Sequence, residues 1–253
     1  MITDPWFFAV AIPAAILIGM SKGGFSVIGL LSVPLMALVI SPVQAAAITL
    51  PILVVSDIVA LVSYRGIYDR TTLMVTIPGA LIGVAIGWAT AAWVTEHEIR
   101  LIVGVLSVLF SVNYWLTRNG SREPRRHSAV RGTFWGIASG FTSFVSHAGG
   151  PPYQMYVAPL RLAPRILAGT TVITFATINA AKLGPYFFLG QFDATNLAAS
   201  AILFPIAVGT TIFAVWLIKR IDTDTFYRWI YFLIFAIGIY LTIDGVTGFI
   251  SPA

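Results

Sequence analysis

The sequence predicts an all-α polytopic membrane protein, built as an inverted-topology repeat of two halves. Of the 253 residues, 58% are hydrophobic and 10% are charged, whereas an average soluble domain carries about 25% charged residues. The apolar runs suit helices, which need about 20 residues to cross a bilayer, and not barrel strands, which alternate over roughly ten. A series of features in the first half also recurs in the second half.

The apolar runs predict about eight to ten membrane segments. The run 151–160 is too short to cross a bilayer as a helix, so we expect it to turn back. The runs 6–22 and 25–40 form either two spans or one re-entrant hairpin, as do 129–146 and 151–160, and we favour hairpins. The ten runs are 6–22, 25–40, 43–64, 73–94, 98–117, 129–146, 151–160, 165–189, 197–218 and 226–249.

One long polar stretch divides the chain near its midpoint. We expect residues 1–117 to form the first transmembrane repeat, 118–128 a cytoplasmic basic linker, and 129–253 the second transmembrane repeat. The halves match with an offset that drifts from 122 to 126 residues. The matched features are Gly23-Gly24 and Gly149-Gly150, Pro34 and Pro159, Pro42 and Pro164, Thr49 and Thr171, Asp57 and Asn179, and Gly66–Asp69 and Gly190–Asp193.

The basic residues predict the orientation. Lys and Arg concentrate on the cytoplasmic side of membrane proteins, and a cytoplasmic linker places twelve of the fifteen basic residues there. Lys22 and Lys182 lie within apolar runs, and Arg100 alone falls outside. The first half then begins outside and the second inside, with both termini external, in a bacterial inner membrane. Inverted repeats with interrupted helices are typical of secondary transporters.

Two breaks in the apolar sequence each set a basic side chain beside a glycine pair, at 19–25 and at 146–152. In lipid, the backbone groups that such breaks open must be covered by protein, water or ligand. Lys22, with N–H groups and a helix N-terminus behind them, would suit an anion, and we expect the two tips to meet. The predicted substrate-binding residues are Lys22, Gly23, Gly24, Phe25, His147, Gly149, Gly150, Tyr153 and Gln154.

Each of these candidates has a plainer alternative. Lys22 would extend to the surface of a cytoplasmic loop if both runs beside it crossed the membrane, and His147 is otherwise a packing histidine. Asp57, Asn179 and Lys182 are predicted to carry a coupling proton or to balance charge. The alternative for Asp57 is a structural salt bridge to a membrane lysine.

Other polar and small residues are expected to serve packing. Lys182, Gln154, Asn113 and Asn179 are alternatively hydrogen-bonding contacts between helices. The spacing of Gly79, Gly83 and Gly87 predicts a helix-packing face. Asp244 is expected to be solvated near the outer end of the last run.

The sequence also excludes several functions. It has no cysteine, which excludes disulfides and thiolate metal sites. It shows no phosphate-binding P-loop, no paired carboxylates and no His-x-x-x-His pattern, so we expect no enzyme, catalytic residue, metal or cofactor. No cleavable signal peptide is evident. The basic residues are explained by topology, so we expect a small anion and the lipid bilayer as partners and no nucleic acid; a homodimer is left open.

Three motifs resemble the TauE/SafE sulfite exporter family, a family of anion permeases with a repeated helical unit. They are Ser21-Lys22-Gly23-Gly24, the Gly-Gly-Pro stretch at Gly149, and Gly190-Gln191-Phe192-Asp193. The resemblance spans nearly the whole chain. It implies transport of small sulfur-containing anions such as sulfite, thiosulfate or organosulfonates. We therefore expect a secondary transporter that exports its substrate by alternating access. The alternatives are a passive anion channel or a membrane-embedded enzyme or assembly factor.

Overall fold

A computed structural model describes residues 5–90, 96–116 and 124–250. In these ranges the regular elements are helices and no strand occurs, which confirms the predicted all-α class. The α-helices are α1 (Pro5–Gly23), α2 (Ser32–Met36), α3 (Pro42–Ser63), α4 (Arg70–Thr90), α5 (Glu96–Leu116), α6 (Ala129–Ser146), α7 (Gly150–Val157), α8 (Pro164–Phe188), α9 (Ala194–Ile218) and α10 (Thr223–Ile250).

Six helices of the described part are long and apolar enough to cross a membrane. They are α1, α3, α4, α8, α9 and α10. In α5 the apolar stretch is shorter, Arg100–Leu116. The chain is therefore a polytopic integral membrane protein, as its composition predicts.

The apolar runs 25–40 and 151–160 do not form long helices. The first contains a single 3₁₀ turn, Ile28–Leu31, followed by the five-residue helix α2. The second contains the eight-residue helix α7 and a 3₁₀ turn, Ala158–Leu160. At 1.5 Å per residue neither piece can cross a bilayer, so each follows a long helix without adding a full helical span.

The chain divides into two compact units. The first unit contains Met1–Asp69 and Pro164–Ile221, and the second contains Arg70–Ala163 and Asp222–Ala253. Each unit therefore draws helices from both predicted repeats. Residues 118–123 of the predicted linker lie outside the described residues, and the boundary at 118–128 stays a prediction.

In the first unit, α1 packs on α9, and α3 packs on both α8 and α9. Glycine residues allow α1 to approach α9 closely. A Cβ on Gly19 would lie 1.9 Å from Oγ1 of Thr210, and one on Gly23 would lie 2.0 Å from Cβ of Ala214. Small residues four apart allow helix backbones to approach in this way. The apolar core of this unit is shared by α1, α3 and α9.

In the second unit, α4 packs on α6 through the predicted glycine face, which the structure confirms. A Cβ on Gly79 or Gly83 would lie 2.4 or 2.1 Å from the carbonyl oxygen of Thr133 or Ile137, and one on Gly87 would lie 2.9 Å from Cβ of Phe144. The face of α6 that meets α4 also contributes glycines to this contact. The interface is therefore backbone against backbone.

The second unit also pairs α5 with α10. The rings of Tyr114 and Tyr231 stack with centroids 3.5 Å apart. At another level Nη1 of Arg100 lies 2.6 Å from Oδ2 of Asp244. The prediction that Asp244 is solvated is therefore wrong, because its side chain is 29% exposed and pairs with Arg100. This pair also accounts for the one basic residue that the sequence places outside.

Candidate functional site

Lys22 lies in the last turn of α1 and is 5% exposed. Side chains of a helix lean toward its N-terminus, so the ammonium group is directed back along the helix and not away from its end. Nζ lies 2.7 Å from Oδ1 of Asp57 on α3. Lys22 is thus a buried, paired lysine, and it does not extend to a loop surface.

Asp57 is held on both carboxylate oxygens. Oδ1 faces Lys22, and Oδ2 accepts a hydrogen bond of 2.7 Å from Nδ2 of Asn179 on α8. Asp57 and Asn179 are 3% and 2% exposed. They are also the two residues that the internal match pairs across the halves. The matched positions therefore meet directly where α3 and α8 pack.

Lys182 brings a second amine to the same place. It lies three residues after Asn179 on α8, is fully buried, and interacts electrostatically with both Lys22 and Asp57. Its Nζ lies 5.6 Å from the ring centroid of Tyr186, within cation–π range. We call Lys22, Asp57, Asn179 and Lys182 the lysine cluster.

The charges of the lysine cluster do not balance when both amines are protonated. Asp57 supplies one negative charge against the two positive charges of Lys22 and Lys182. Burying charge is costly, and ring faces such as that of Phe175, 5.9 Å from Nζ of Lys22, offset part of that cost. A small anion beside the amines would compensate the remaining charge.

The backbone of the first break is engaged within the protein. The N–H groups of Gly24 and Phe25 donate to the carbonyl oxygens of Ser21 and Met20, each over 3.4 Å. The hydroxyl of Tyr64 donates to the carbonyl of Gly23. These groups therefore close the end of α1.

The helix end at the first break is a C-terminus. Its partial charge is negative and favours a cation such as Lys22. The helical pieces that follow it have four and five residues, too short to supply the helix N-terminus that the sequence predicted behind this break. Any attraction for an anion at this break therefore comes from the amines.

The glycines of the first break have a packing role. Gly23 faces Ala214 on α9, as described above. Gly24 has φ +140°, and a Cβ there would lie 2.7 Å from Cγ1 of Ile218 and 3.2 Å from Cβ of Ala168. Protein atoms therefore occupy the space next to these glycines. Phe25 is also buried.

The second break is closed by hydroxyl groups. Ser139 donates to the carbonyl of Gly149 over 2.9 Å, and Thr142 donates to the carbonyl of Ala148 over 3.2 Å. The N–H group of Ala148 in turn donates to the carbonyl of Thr142 over 3.1 Å. His147 ends α6 in the left-handed region, with φ 53°.

The helix α7 begins at Gly150 with few backbone donors. Pro151 and Pro152 have no N–H group, and the N–H of Tyr153 donates to the carbonyl of Gly149 over 3.2 Å. Tyr153 and Gln154 are 0% and 1% exposed. The side chain of Asn113, a further candidate, lies outside the described residues.

The predicted site residues are divided between the two units. Lys22, Gly23, Gly24 and Phe25 belong to the first unit with Asp57, Asn179 and Lys182, and His147, Gly149, Gly150, Tyr153 and Gln154 belong to the second. The joint site of two tips stays a prediction.

Sequence reasoning missed the aromatic residues around the lysine cluster. Phe175, Asn179, Lys182 and Tyr186 are spaced by four, three and four residues, which places them on one face of α8. Tyr64 follows Asp57 by seven residues and shares its face of α3. This spacing is visible in the sequence, so it could have indicated an aromatic lining for the buried charges.

The fold and the lysine cluster define a polytopic helical membrane protein with ionisable groups buried between its helices. Such groups are rare within membranes and mark transport pathways. The family model described as sulfite exporter TauE/SafE matches residues 11–241, and the chain belongs to this family. It is therefore a membrane transporter of the sulfite and anion exporter type. A search of curated proteins and a search of solved structures found no match.

Proposed function

We propose that this protein is a secondary transporter that exports small sulfur-containing anions, such as sulfite or organosulfonates, by alternating access, and that the anion binds at the lysine cluster. One observation carries the proposal. Two buried lysines, Lys22 and Lys182, lie in the electrostatic field of one buried carboxylate, Asp57, which pairs directly with Lys22. An interior with surplus positive charge selects for anions and against cations.

The chemistry of an oxyanion of sulfur suits two ammonium groups. Each ammonium has three N–H donors, and the oxygens of sulfite or a sulfonate accept several of them. A charge-assisted hydrogen bond contributes about 1.5 to 3 kcal/mol. The family supports sulfite among the candidates, and the lysine cluster itself supports a compact anion.

The order of helix pairing supports two structurally matched halves. Matching α1–α5 with α6–α10 in order relates the pair α1 and α9 to the pair α6 and α4. The pairs α3 with α8, and α5 with α10, then each join a helix to its own match. Transporters built from inverted repeats rock one part against another around a central site. The inverted repeat and alternating access are parts of our proposal.

Asp57 provides a route for proton coupling. Adding one proton to the lysine cluster raises its net charge by one, so proton binding and anion binding reinforce each other. Asp57→Asn copies the residue at the matched position and removes the carboxylate. We expect anion flux in this variant to lose its dependence on pH. Unchanged pH dependence would remove Asp57 from coupling and leave it as a counter-charge.

The transport proposal is tested by flux into proteoliposomes that contain the purified protein. The panel is sulfite, sulfate, thiosulfate, sulfoacetate and acetate, each with and without an imposed pH gradient. We expect sulfur anions to accumulate against their own gradient when a pH gradient is present. Downhill flux only, insensitive to the pH gradient, would indicate a passive channel. As a control, Lys219→Met, which removes an exposed lysine at the end of α9, should transport like the parent protein.

The proposed orientation has its own test. A reporter inserted at Ser121 should label as cytoplasmic, and one fused after Ala253 should label as external. The expectation rests on the excess of basic residues on one side. The opposite labelling would overturn the inverted-repeat argument without affecting the anion assay.

A further inference from the structure

A basic pocket lies where the chain enters α6, in the second unit. It is lined by Arg125, Arg126 and Arg131, with Trp135, Tyr156 and Pro159 around them. None of these residues belongs to the lysine cluster or to the predicted substrate site.

The pocket is held in place by its backbone. The N–H of Arg125 donates to the carbonyl of Pro159 over 3.0 Å, and the guanidinium of Arg131 donates to the carbonyl of Arg126 over 3.4 Å. Ser128 caps α6 by accepting the N–H of Arg131 over 3.4 Å. The short segment before α6 is thus tied both to α6 and to the turn after α7.

The charges of the basic pocket are all of one sign. The three arginines are exposed. Within the described ranges the salt bridges are Lys22 with Asp57 and Arg100 with Asp244, so no described carboxylate pairs with these three guanidinium groups. Like charges held close together repel one another. An anion between them would remove that repulsion.

The surface beside the basic pocket is apolar. Val130 and Phe134 flank Arg131 on α6 and are 81% and 60% exposed. They are four residues apart, so they share one face of the helix. In a membrane protein such a face meets acyl chains, and arginines at the end of the same helix meet the headgroups. This arrangement matches the two ends of a phospholipid.

We propose that the basic pocket binds the phosphate of an anionic phospholipid, whose acyl chains lie along Val130 and Phe134. The cavity volume is about 20 Å³, room for about one oxygen atom, so the rest of the phosphate and the headgroup would lie outside it. Guanidinium groups bind phosphate through paired N–H donors. The lipid then fastens the segment before α6 to the turn after α7.

The test measures binding of phosphatidylglycerol or phosphatidylcholine to the purified full chain by native mass spectrometry. Each arginine near a charged membrane surface contributes about fivefold in affinity. The triple variant R125Q/R126Q/R131Q should therefore bind phosphatidylglycerol about a hundredfold more weakly. The control R65Q/R70Q/R220Q removes three exposed arginines that do not line the basic pocket, so its loss should be clearly smaller than that of the triple variant.

Several outcomes would overturn the proposal. They are equal phosphatidylglycerol binding by the parent and the triple variant, equal binding of the two lipids by the parent, or an equal loss in the control. Displacement of the lipid by inorganic phosphate at matched concentration would assign the basic pocket to free phosphate instead. If the triple variant does not fold, R126Q alone should show about a fivefold loss, and no loss would contradict the proposal.

Discussion

The two glycine-bearing breaks have similar sequences and different surroundings. In both, a side-chain hydroxyl donates to a carbonyl that the break leaves open, from Tyr64 to Gly23 and from Ser139 to Gly149. The first break lies beside an ion pair, because its basic residue, Lys22, meets Asp57. At the second break, His147 ends a helix in the left-handed region.

The sequence pattern does not distinguish two functions, ending a helix and binding an anion. Glycines next to a basic residue need not form an anion cradle, because Gly23 and Gly24 face α9 and α8 at close range. What distinguishes the first break is the charge of the residues on the neighbouring helices. This difference supports our proposal that the anion binds at the lysine cluster, while both breaks terminate helices.

The largest effect on stability should follow from breaking the buried ion pair. Asp57→Asn removes the carboxylate that pairs with Lys22, which should cost about 3 to 5 kcal/mol. Lys22→Met should cost less, because Lys182 still interacts electrostatically with Asp57. The double variant should lose less than the more damaging single variant, because neither charge of the Lys22–Asp57 pair remains. The free energy of unfolding in detergent, from denaturant titration, measures all three. Additive losses would mean that the two side chains do not act as a pair.

Overpacking at the glycine contacts should be the next largest effect, and it should be alike in both units. Gly23→Val and Gly140→Val would force a Cβ to within 2.0 Å of Ala214 and of the Ala80 carbonyl, at a cost of about 1 to 3 kcal/mol or more. Gly184→Ala, where nothing lies within 4 Å, is the control. Thermal unfolding in detergent checks this, and a stable Gly23→Val would show that α1 and α9 can separate without penalty.

Removing the hydroxyl that closes each break should have a smaller effect. Tyr64→Phe and Ser139→Ala each remove one hydrogen bond to a carbonyl, and we expect a loss of about 1 kcal/mol for each. Hydrogen exchange of the amides from Ser21 to Phe25 and from Ser146 to Gly150 would show whether the opening stays local. Faster exchange at the other break would contradict the independence of the two closures.

The smallest effect should come from the exposed cap of α10. The N–H of Thr225 donates to Oδ1 of Asp222 over 2.9 Å, and this hydrogen bond holds the pKa of that carboxyl below its usual value. The lower pKa in the folded state means that the stabilisation is complete above the usual aspartate pKa and is lost as pH falls through the folded-state pKa. Asp222→Ala should flatten the acid limb of the stability profile slightly. An unchanged acid limb would show that this hydrogen bond does not contribute to the pH dependence of stability.

The sequence predicts the long helices closely. The run 129–146 is α6 to the residue, because Ser128 caps one end and His147-Ala148-Gly149 stops the other. The run 25–40 is apolar enough for a helix, yet it forms only short pieces, with Gly29 and Pro34 among its residues. Hydropathy alone therefore overestimates the length of helix in this segment.

The lysine cluster could be predicted only in part. The internal match pairs Asp57 with Asn179, and these residues do meet. The sequence does not show that Gly19 and Gly23 face α9. Periodicity indicates which face of a helix packs, and not which helix it packs against. The side chains that surround Lys182 likewise depend on the tertiary pairing of α3 with α8.

The most direct test of the anion site is the dissociation constant for sulfite of purified Lys182→Met, compared with that of His147→Gln. Losing one charge-assisted hydrogen bond at the lysine cluster should weaken binding at least about tenfold in Lys182→Met. His147→Gln, which alters the second break and leaves the lysine cluster intact, should change it by less than about twofold. A tenfold loss in His147→Gln with unchanged binding in Lys182→Met would place the anion at the second break and contradict the assignment to the lysine cluster.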